Sequence, residues 1–429
     1  MKHAIAALFA GMTVCAAIQA VPSAQAETYK EKVLYSFCNQ DNCPGGAYPQ
    51  AAVLDLNGML YGTAAGGGRS QCPQAGCGTA FSLDPDTGTE TVLHYFCSRH
   101  KCADGGNPNA LIAANGKIYG TNSSGGGGFG GQQYGTAFTL DPQTGAEKVI
   151  HDFCQQQNCP DGGQPSSGLT AARGKMYGVT VNGGTAFRGT VFELDPKSGA
   201  VTVLYSFCQQ QDCLDGRNPS SPVTIMGDML YGTTIGGGEY CGGSCGTAFS
   251  IDLKTGTQNV LHSFDNDGDA ELPRNLIAVH GILYGTSYGG GTGGGSTGCG
   301  VYGCGTVFSI DPNTGAETVL YSFCSRNNCA DGTLPAGGLI AVKGMLYGTT
   351  ESGGDGKSCY YGCGTVFSID PGTGAEKVIY SFKGGTDGEV PDAGLTEVNG
   401  TFYGTTNAGG GVSCYGSYGC GTVFELSKQ

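Results

Sequence analysis

Tryptophan is absent from the 429 residues, and histidine occurs only six times. Three of the histidines, His94, His151 and His262, fall at one recurring position as interchangeable aromatic packing residues, while His100 and His280 are too few and scattered for a histidine metal cluster or an obvious triad. Charged side chains are scarce at 13%, and the 21 basic residues are outnumbered by 35 acidic ones, for a net charge of −14. That balance repels phosphate backbones and anionic lipid, which argues against nucleic acid and a basic membrane patch. No apolar period of 3.6 residues survives the glycines, so no helix is expected. Beyond the first 26 residues no apolar run approaches the length of a membrane span.

Glycine and cysteine are abundant instead, at 80 and 21 residues. Disorder is excluded by the 39% of hydrophobic residues, which provide enough burial to offset chain ordering, so the glycines must punctuate structure. Lys2 and His3 precede an apolar stretch from Ala4 to Ile18, followed by Ala24-Gln25-Ala26. This is the pattern of a secretory signal peptide over residues 1–26, with the mature chain expected over 27–429 as a single domain in the periplasm or outside the cell. Cys15 lies in that segment, and the other 20 cysteines form ten close couples: Cys38/Cys43, Cys72/Cys77, Cys97/Cys102, Cys154/Cys159, Cys208/Cys213, Cys241/Cys245, Cys299/Cys304, Cys324/Cys329, Cys359/Cys363 and Cys414/Cys420. An even count in an exported chain predicts disulfides. Zinc is disfavoured, because no couple has the two-residue spacing or a neighbouring histidine pair.

One unit recurs seven times, roughly every 57 residues. An LYGT-like tetrapeptide carries Tyr61, Tyr119, Tyr177, Tyr231, Tyr284, Tyr347 and Tyr403. A GT(A/V)F motif ends at Phe81, Phe138, Phe192, Phe249, Phe308, Phe367 and Phe424, and a VLYSF-like motif at Phe37, Phe96, Phe153, Phe207, Phe264, Phe323 and Phe382. Couples of cysteines are gained or lost whole between copies, which predicts pairing within each couple. Every unit contains four short runs of β-branched, aromatic and aliphatic residues. The first two are joined by hairpin dipeptides such as Asn57-Gly58, and the last two by Asp-Pro-x-Thr/Ser-Gly, as in Asp84 to Gly88.

Seven such units predict an all-β, seven-bladed propeller of four-stranded antiparallel blades. The mature chain begins with a lone fourth strand, Val33 to Phe37, and finishes on a third strand at Phe424, so the N-terminal strand is expected to complete the last blade and close the ring. An open solenoid would leave unpaired edges. Alternating strand directions put the short turns on one face and both longer connections on the other. All ten cysteine couples lie in those longer connections, so a stapled loop face is expected to be where binding sits.

The motifs LYGTT, GTVFSIDPxTG and VLYSF followed by Asp-Gly and Pro resemble the bacterial choice-of-anchor tandem repeat GloVer-containing family from about residue 30 to 426. That resemblance implies an exported repeat protein of uncharacterised function whose members differ in a C-terminal anchor. Only Glu425 to Gln429 follow Phe424 here, so free secretion or a periplasmic location is expected rather than anchoring. A weaker resemblance to the blades of quinoprotein dehydrogenases stops at the missing tryptophan, where Tyr35, Tyr205, Tyr321 and Tyr380 stand, and a quinone cofactor is not expected.

Candidate chemistry is confined to the longer loops. An Asp-Gly step recurs at Asp104, Asp161, Asp215, Asp267, Asp331 and Asp387, usually with proline four residues on. These carboxylates either gather a cation or a polar sugar or simply form turns. Asp265, Asp267, Asp269 and Glu271 alternate as in a calcium loop, although the glycine is misplaced for an EF-hand. Tyr240, Tyr302, Tyr360, Tyr361, Tyr415 and Tyr418 crowd the other loop, either as a binding surface or as cover for a blade edge. Gly294 to Gly298 matches G-x-S-x-G, and Gly125 to Gly131 holds G-x-G-x-x-G, but neither has the following helix its chemistry needs. No catalytic constellation and no cofactor is expected, calcium apart. The resulting expectation is an exported, non-catalytic module that binds a glycan or protein partner through its long-loop face. A glycan-active enzyme on a propeller scaffold and a structural envelope protein are the alternatives.

Overall fold

The computed structural model describes residues 28–429 apart from 40–42, 69–76, 266–267, 293–298, 300–302, 412–413 and 415–418. The expected signal segment, Cys72, Asp267, Tyr302, Tyr415, Tyr418 and the G-x-S-x-G stretch therefore lie outside the described residues. Seven antiparallel sheets form a seven-bladed propeller. Blades 1 to 6 span residues 54–95, 106–152, 163–206, 224–263, 270–322 and 340–381, and blade 7 combines 396–428 with 29–36.

Ring closure follows from that last pairing. Tyr29–Ser36 runs antiparallel to Thr422–Lys428, from Tyr29 opposite Lys428 to Ser36 opposite Thr422, with one register shift between Val33 and Tyr35. Blade 7 then meets blade 1, Thr405 donating to the Ala51 carbonyl at 3.1 Å. The same threonine of the LYGT motif bridges to the next blade elsewhere: Thr63 to Asn109, Thr121 to Ser167, Thr233 to Arg274 and Thr349 to Ala393, each onto a main-chain carbonyl. A buried hydroxyl that would otherwise lack a partner thus fixes the spacing of neighbouring blades.

Packing between blades is carried by phenylalanine. The phenylalanine after each fourth strand meets the one on the next blade's third strand, from Phe37 against Phe81 (5.3 Å between ring centres) to Phe382 against Phe424 (5.1 Å). All are fully buried. This recurring contact explains the motif glycine, since a Cβ on Gly62, Gly232 or Gly404 would stand 2.4, 2.6 or 2.5 Å from the facing phenylalanine ring. Thr234 and Thr247, Thr350 and Thr365, and Thr406 and Thr422 bond hydroxyl to hydroxyl at 2.8, 2.9 and 2.8 Å where second and third strands leave for the long loops.

Nine of the ten expected cysteine couples are bonded within themselves. Cys77 is likewise oxidised. In blade 7 two staples touch, the sulfurs of Cys38, Cys43, Cys414 and Cys420 lying within 4.8 Å of one another.

Three of the bonded cysteines lie deeper than their loop positions suggest. Cys159, Cys213 and Cys245, the second members of the bonds to Cys154, Cys208 and Cys241, are all buried beneath their loops. The reason lies in the main chain. The Cys159 carbonyl accepts from the Gly162 and Gly184 amides, and the Cys213 carbonyl accepts from Gly216 and Gly238, so each of these residues is drawn inward as the knot joining two loops. Cys245 packs with Ala248, Phe264 and Ala270 in the core between blades 4 and 5. These three residues hold the loops and present nothing to a ligand.

Candidate functional site in the central channel

The loop aspartates turn inward as well. Asp104 accepts from His94 (3.2 Å), from the Ser98 hydroxyl (2.7 Å) and from the Ser98 and Arg99 amides. Asp161 pairs with His151 at 2.9 Å, Asp215 with Tyr205 at 2.7 Å, Asp331 with Tyr321 at 2.8 Å and Asp387 with Tyr380 at 2.6 Å. Each aspartate therefore ties a loop back to the aromatic residue of the preceding fourth strand, and Asp104, Asp215 and Asp331 are fully buried. Burial alone would raise Asp104, but hydrogen bonds from His94, Ser98 and Arg99 hold it well below the usual carboxylate range. In the blade 1 loop, where Gly45 stands in place of the aspartate, Glu90 takes over as the hydrogen-bond partner of Tyr35.

In the loop after Phe264 the aspartate serving this role is Asp269, which binds His262 at 2.8 Å and the Ala270 amide at 2.6 Å. Glu271 is buried in the strand Ala270–Val279 opposite Gly289, where burial raises its carboxyl. Asp265, Asp269 and Glu271 do not converge: among the described residues every close group of three or more potential metal ligands includes disulfide cysteines. Of the loop tyrosines within the described residues, Tyr240, Tyr360 and Tyr361 project into solvent, with Tyr360 91% exposed and packed edge-on against Tyr361 at 4.6 Å.

A different set of residues converges on the propeller axis. All seven blades line a central cavity of about 410 Å³. Each blade contributes the residue after the proline of its first-strand segment, and there the repeat is broken: Gln50, Asn109, Ser166, Ser220, Arg274, Ala336 and Asp392. The position after the LYGTT motif also breaks symmetry, with Ala65, Ser123, Val181 and Ile235 in blades 1 to 4 but Tyr288, Glu351 and Asn407 in blades 5 to 7. At these two positions charged side chains, Arg274, Glu351 and Asp392, therefore occur only on blades 5 to 7, at the long-loop end of the inner strands.

Its geometry is connected. Arg274 lies over the Tyr288 ring, 5.0 Å from its centre, and Tyr288 donates to Glu351 Oε2 at 3.2 Å. Asn407 Nδ2 donates to Asp392 Oδ2 at 2.8 Å. Burial pushes the Asp392 carboxyl up to about 7, against the Asn407 hydrogen bond, while the Glu351 charge raises it and the Arg274 charge lowers it. Glu351 is also raised by burial, opposed by Tyr288 and Arg274. Asp392 is consequently a carboxyl that changes charge near neutral pH within the field of a permanent cation.

Residues 113–359 and 296–429 match the Gloeobacter/Verrucomicrobia repeat. The chain belongs to that family. No curated protein matches its sequence. Among solved structures, an oligogalacturonate lyase in complex with manganese is similar at 11% identity and a TM-score of 0.50, over 94% of this chain and 96% of that one. The oligogalacturonate lyase of Vibrio parahaemolyticus is similar at 9% identity and a TM-score of 0.52, over 93% and 97%. At such identities the likeness is one of fold.

Within this Gloeobacter/Verrucomicrobia repeat chain, Arg274, Tyr288, Glu351, Asp392 and Asn407 escape motif searching because they lie outside the recurring motifs. The signal that finds them is the reverse of repetition: aligning the seven units and asking where polar residues differ from copy to copy. Which of those variable positions face the axis becomes visible only once the ring is closed.

Proposed function

We propose that this protein is an exported, non-catalytic binding module whose ligand enters from the long-loop side and seats in the central channel against blades 5 to 7. One observation carries the reading: the only axis-facing charged residues at the post-proline position, Arg274 and Asp392, stand on the blades that also place Tyr288, Glu351 and Asn407 together. A purely structural ring needs no such asymmetry, because the blade-to-blade bonds of Thr63, Thr233 and Thr405 hold whatever the axis side chain is. Export accords with the disulfide staples, which persist in oxidising compartments, and no helix among the described residues is long and apolar enough to cross a membrane.

The test is a thermal-shift screen of the mature, oxidised protein against a library of small metabolites and glycans, run in parallel on Arg274→Met and Asp392→Asn. The reading expects compounds that raise the melting temperature of the wild type and not of the variants, since a ligand bound only by the folded state stabilises it. Hits shared equally by all three proteins would overturn it.

A second reading, glycan cleavage on the same scaffold, is favoured by the near-neutral Asp392 carboxyl, which feels the charges of Arg274 and Glu351, a setting suited to proton transfer. Incubation with oligogalacturonate and neutral oligosaccharides, followed by mass spectrometry, separates the two. Shortened chains that vanish in Asp392→Asn would establish catalysis, and unchanged chains leave binding as the function.

A further inference from the structure

Three residues that line the same cavity from three different blades each bury a polar atom without a hydrogen-bond partner: Ser220 Oγ of blade 4, Arg274 Nε of blade 5 and Asp392 Oδ1 of blade 7. Leaving such atoms unpaired is costly, so whatever fills the cavity is selected by its ability to serve them. Their demands differ. Asp392 Oδ1 as a carboxylate needs a donor, Arg274 Nε needs an acceptor, and Ser220 Oγ takes either.

A simple anion would satisfy Arg274 but would face the carboxyls of Asp392 and Glu351. An ammonium would satisfy Asp392 but would face the guanidinium. A hydroxyl donates and accepts at once, and two adjacent hydroxyls can accept from Arg274 while donating to Asp392. The remaining lining agrees: Gln50, Ser166 and Asn275 offer amide and hydroxyl groups, and among the described residues no aromatic ring lines the cavity on which a planar heterocycle would stack. At about 410 Å³ the space lies toward the small end of ligand pockets, which run from about 300 to 1,000 Å³.

Resting on the channel reading above, we propose that the cavity recognises an uncharged polyhydroxylated compound of mono- to disaccharide size, with neighbouring hydroxyls bridging Asp392 and Arg274 and a third group reaching Ser220. The exposed Tyr360 and Tyr361 lie apart from it, beside a separate cavity of about 560 Å³ lined also by Thr333, Ser352 and Lys357. They provide an internal control rather than part of the site.

Isothermal titration of the mature protein tests this with neutral mono- and disaccharides and linear polyols, with galacturonic acid as the anionic counterpart, and with amino acids and dicarboxylates as ligands lacking vicinal hydroxyls. The expected result is saturable binding of at least one neutral polyhydroxylated compound, weakened tenfold or more by Asp392→Asn and by Arg274→Met, and unchanged by the Tyr360→Ala/Tyr361→Ala pair. Circular dichroism confirms that each variant is folded. Because donation to Asp392 favours its ionised form, binding near pH 7 should also release protons, seen as a dependence of the measured heat on the buffer. If an amino acid or dicarboxylate binds instead and is lost in Asp392→Asn, the channel reading survives and the ligand class falls. Sugar binding that only the tyrosine pair abolishes, or no channel-dependent binding by any of the compounds, overturns the proposal.

Discussion

The guanidinium of Arg274 lies 5.0 Å from the centre of the Tyr288 ring, and Tyr288 in turn donates its hydroxyl hydrogen to Glu351. This chain of contacts crosses from blade 5 to blade 6 and leaves Arg274 as the cation acting on both Glu351 and Asp392. Arg274→Met should therefore raise the Asp392 titration above its wild-type position near 7, because the guanidinium charge lowers it. Carbon-detected NMR of the side-chain carboxyls across pH 4 to 10 measures it. An unmoved Asp392 would mean that the guanidinium does not act on it.

The glycine of the LYGT motif is predicted to be the least replaceable residue of the unit. Gly404→Ala sets a methyl 2.5 Å from the Phe424 ring inside a core that has no space to yield, and should cost about 2 kcal/mol in denaturant unfolding. Gly58→Ala is the contrast: nothing lies within 4 Å, and only its left-handed backbone, φ +83°, is strained, for about 1 kcal/mol. Equal losses would show that packing against phenylalanine is not what fixes the motif.

Much of the architecture is legible in the sequence because it is repeated. Seven copies of Phe81 and Phe37 equivalents, hairpin dipeptides and a lone N-terminal strand determine blade number, strand order and closure, and cysteine couples lost as wholes determine pairing. Their depth is not legible: Cys159, Cys213 and Cys245 lie in loops by sequence, yet loop carbonyl bonds and core packing bury them. The site is less legible because repetition hides it. Asp104 and its equivalents repeat because they brace loops, and in the sequence that regularity resembles a ring of ligands. Arg274, Glu351 and Asp392 occur once each, at positions whose approach to the axis depends on a long-range closure that no local motif encodes.

Stability should fall as the solution is made alkaline. Burial raises Glu31 and Glu317 to about 8 and Glu90, Glu376 and Asp392 to about 7, with Asp387 adding to the first and Asp269 to the second. A carboxyl whose folded pKa lies above its unfolded value binds more protons when folded, so its contribution is present below the unfolded pKa and is lost as pH rises through the folded one. The window runs from about pH 4 to 8, and the melting temperature should drop across it by on the order of 5 °C. Glu317→Gln removes one such carboxyl and should flatten the profile; a melting temperature that rises over this range would contradict the assignment.

Each staple closes a loop of about six residues and should contribute roughly 2 kcal/mol by constraining the unfolded chain. The double variant Cys208→Ser/Cys213→Ser tests this in the loop between blades 3 and 4, where the buried Cys213 is the knot. A loss near that size under oxidising conditions, and none relative to wild type after full reduction, is expected. Peptide mapping without reductant should recover pairs within couples throughout, and bonds between couples would contradict the pairing.

The most direct measurement is a crystal structure of residues 27–429 with the best-stabilising compound from the thermal-shift screen. The account predicts that compound on the propeller axis, within hydrogen-bonding distance of Asp392 and Arg274. A compound seated over Tyr360 and Tyr361, with only water in the channel, would contradict it.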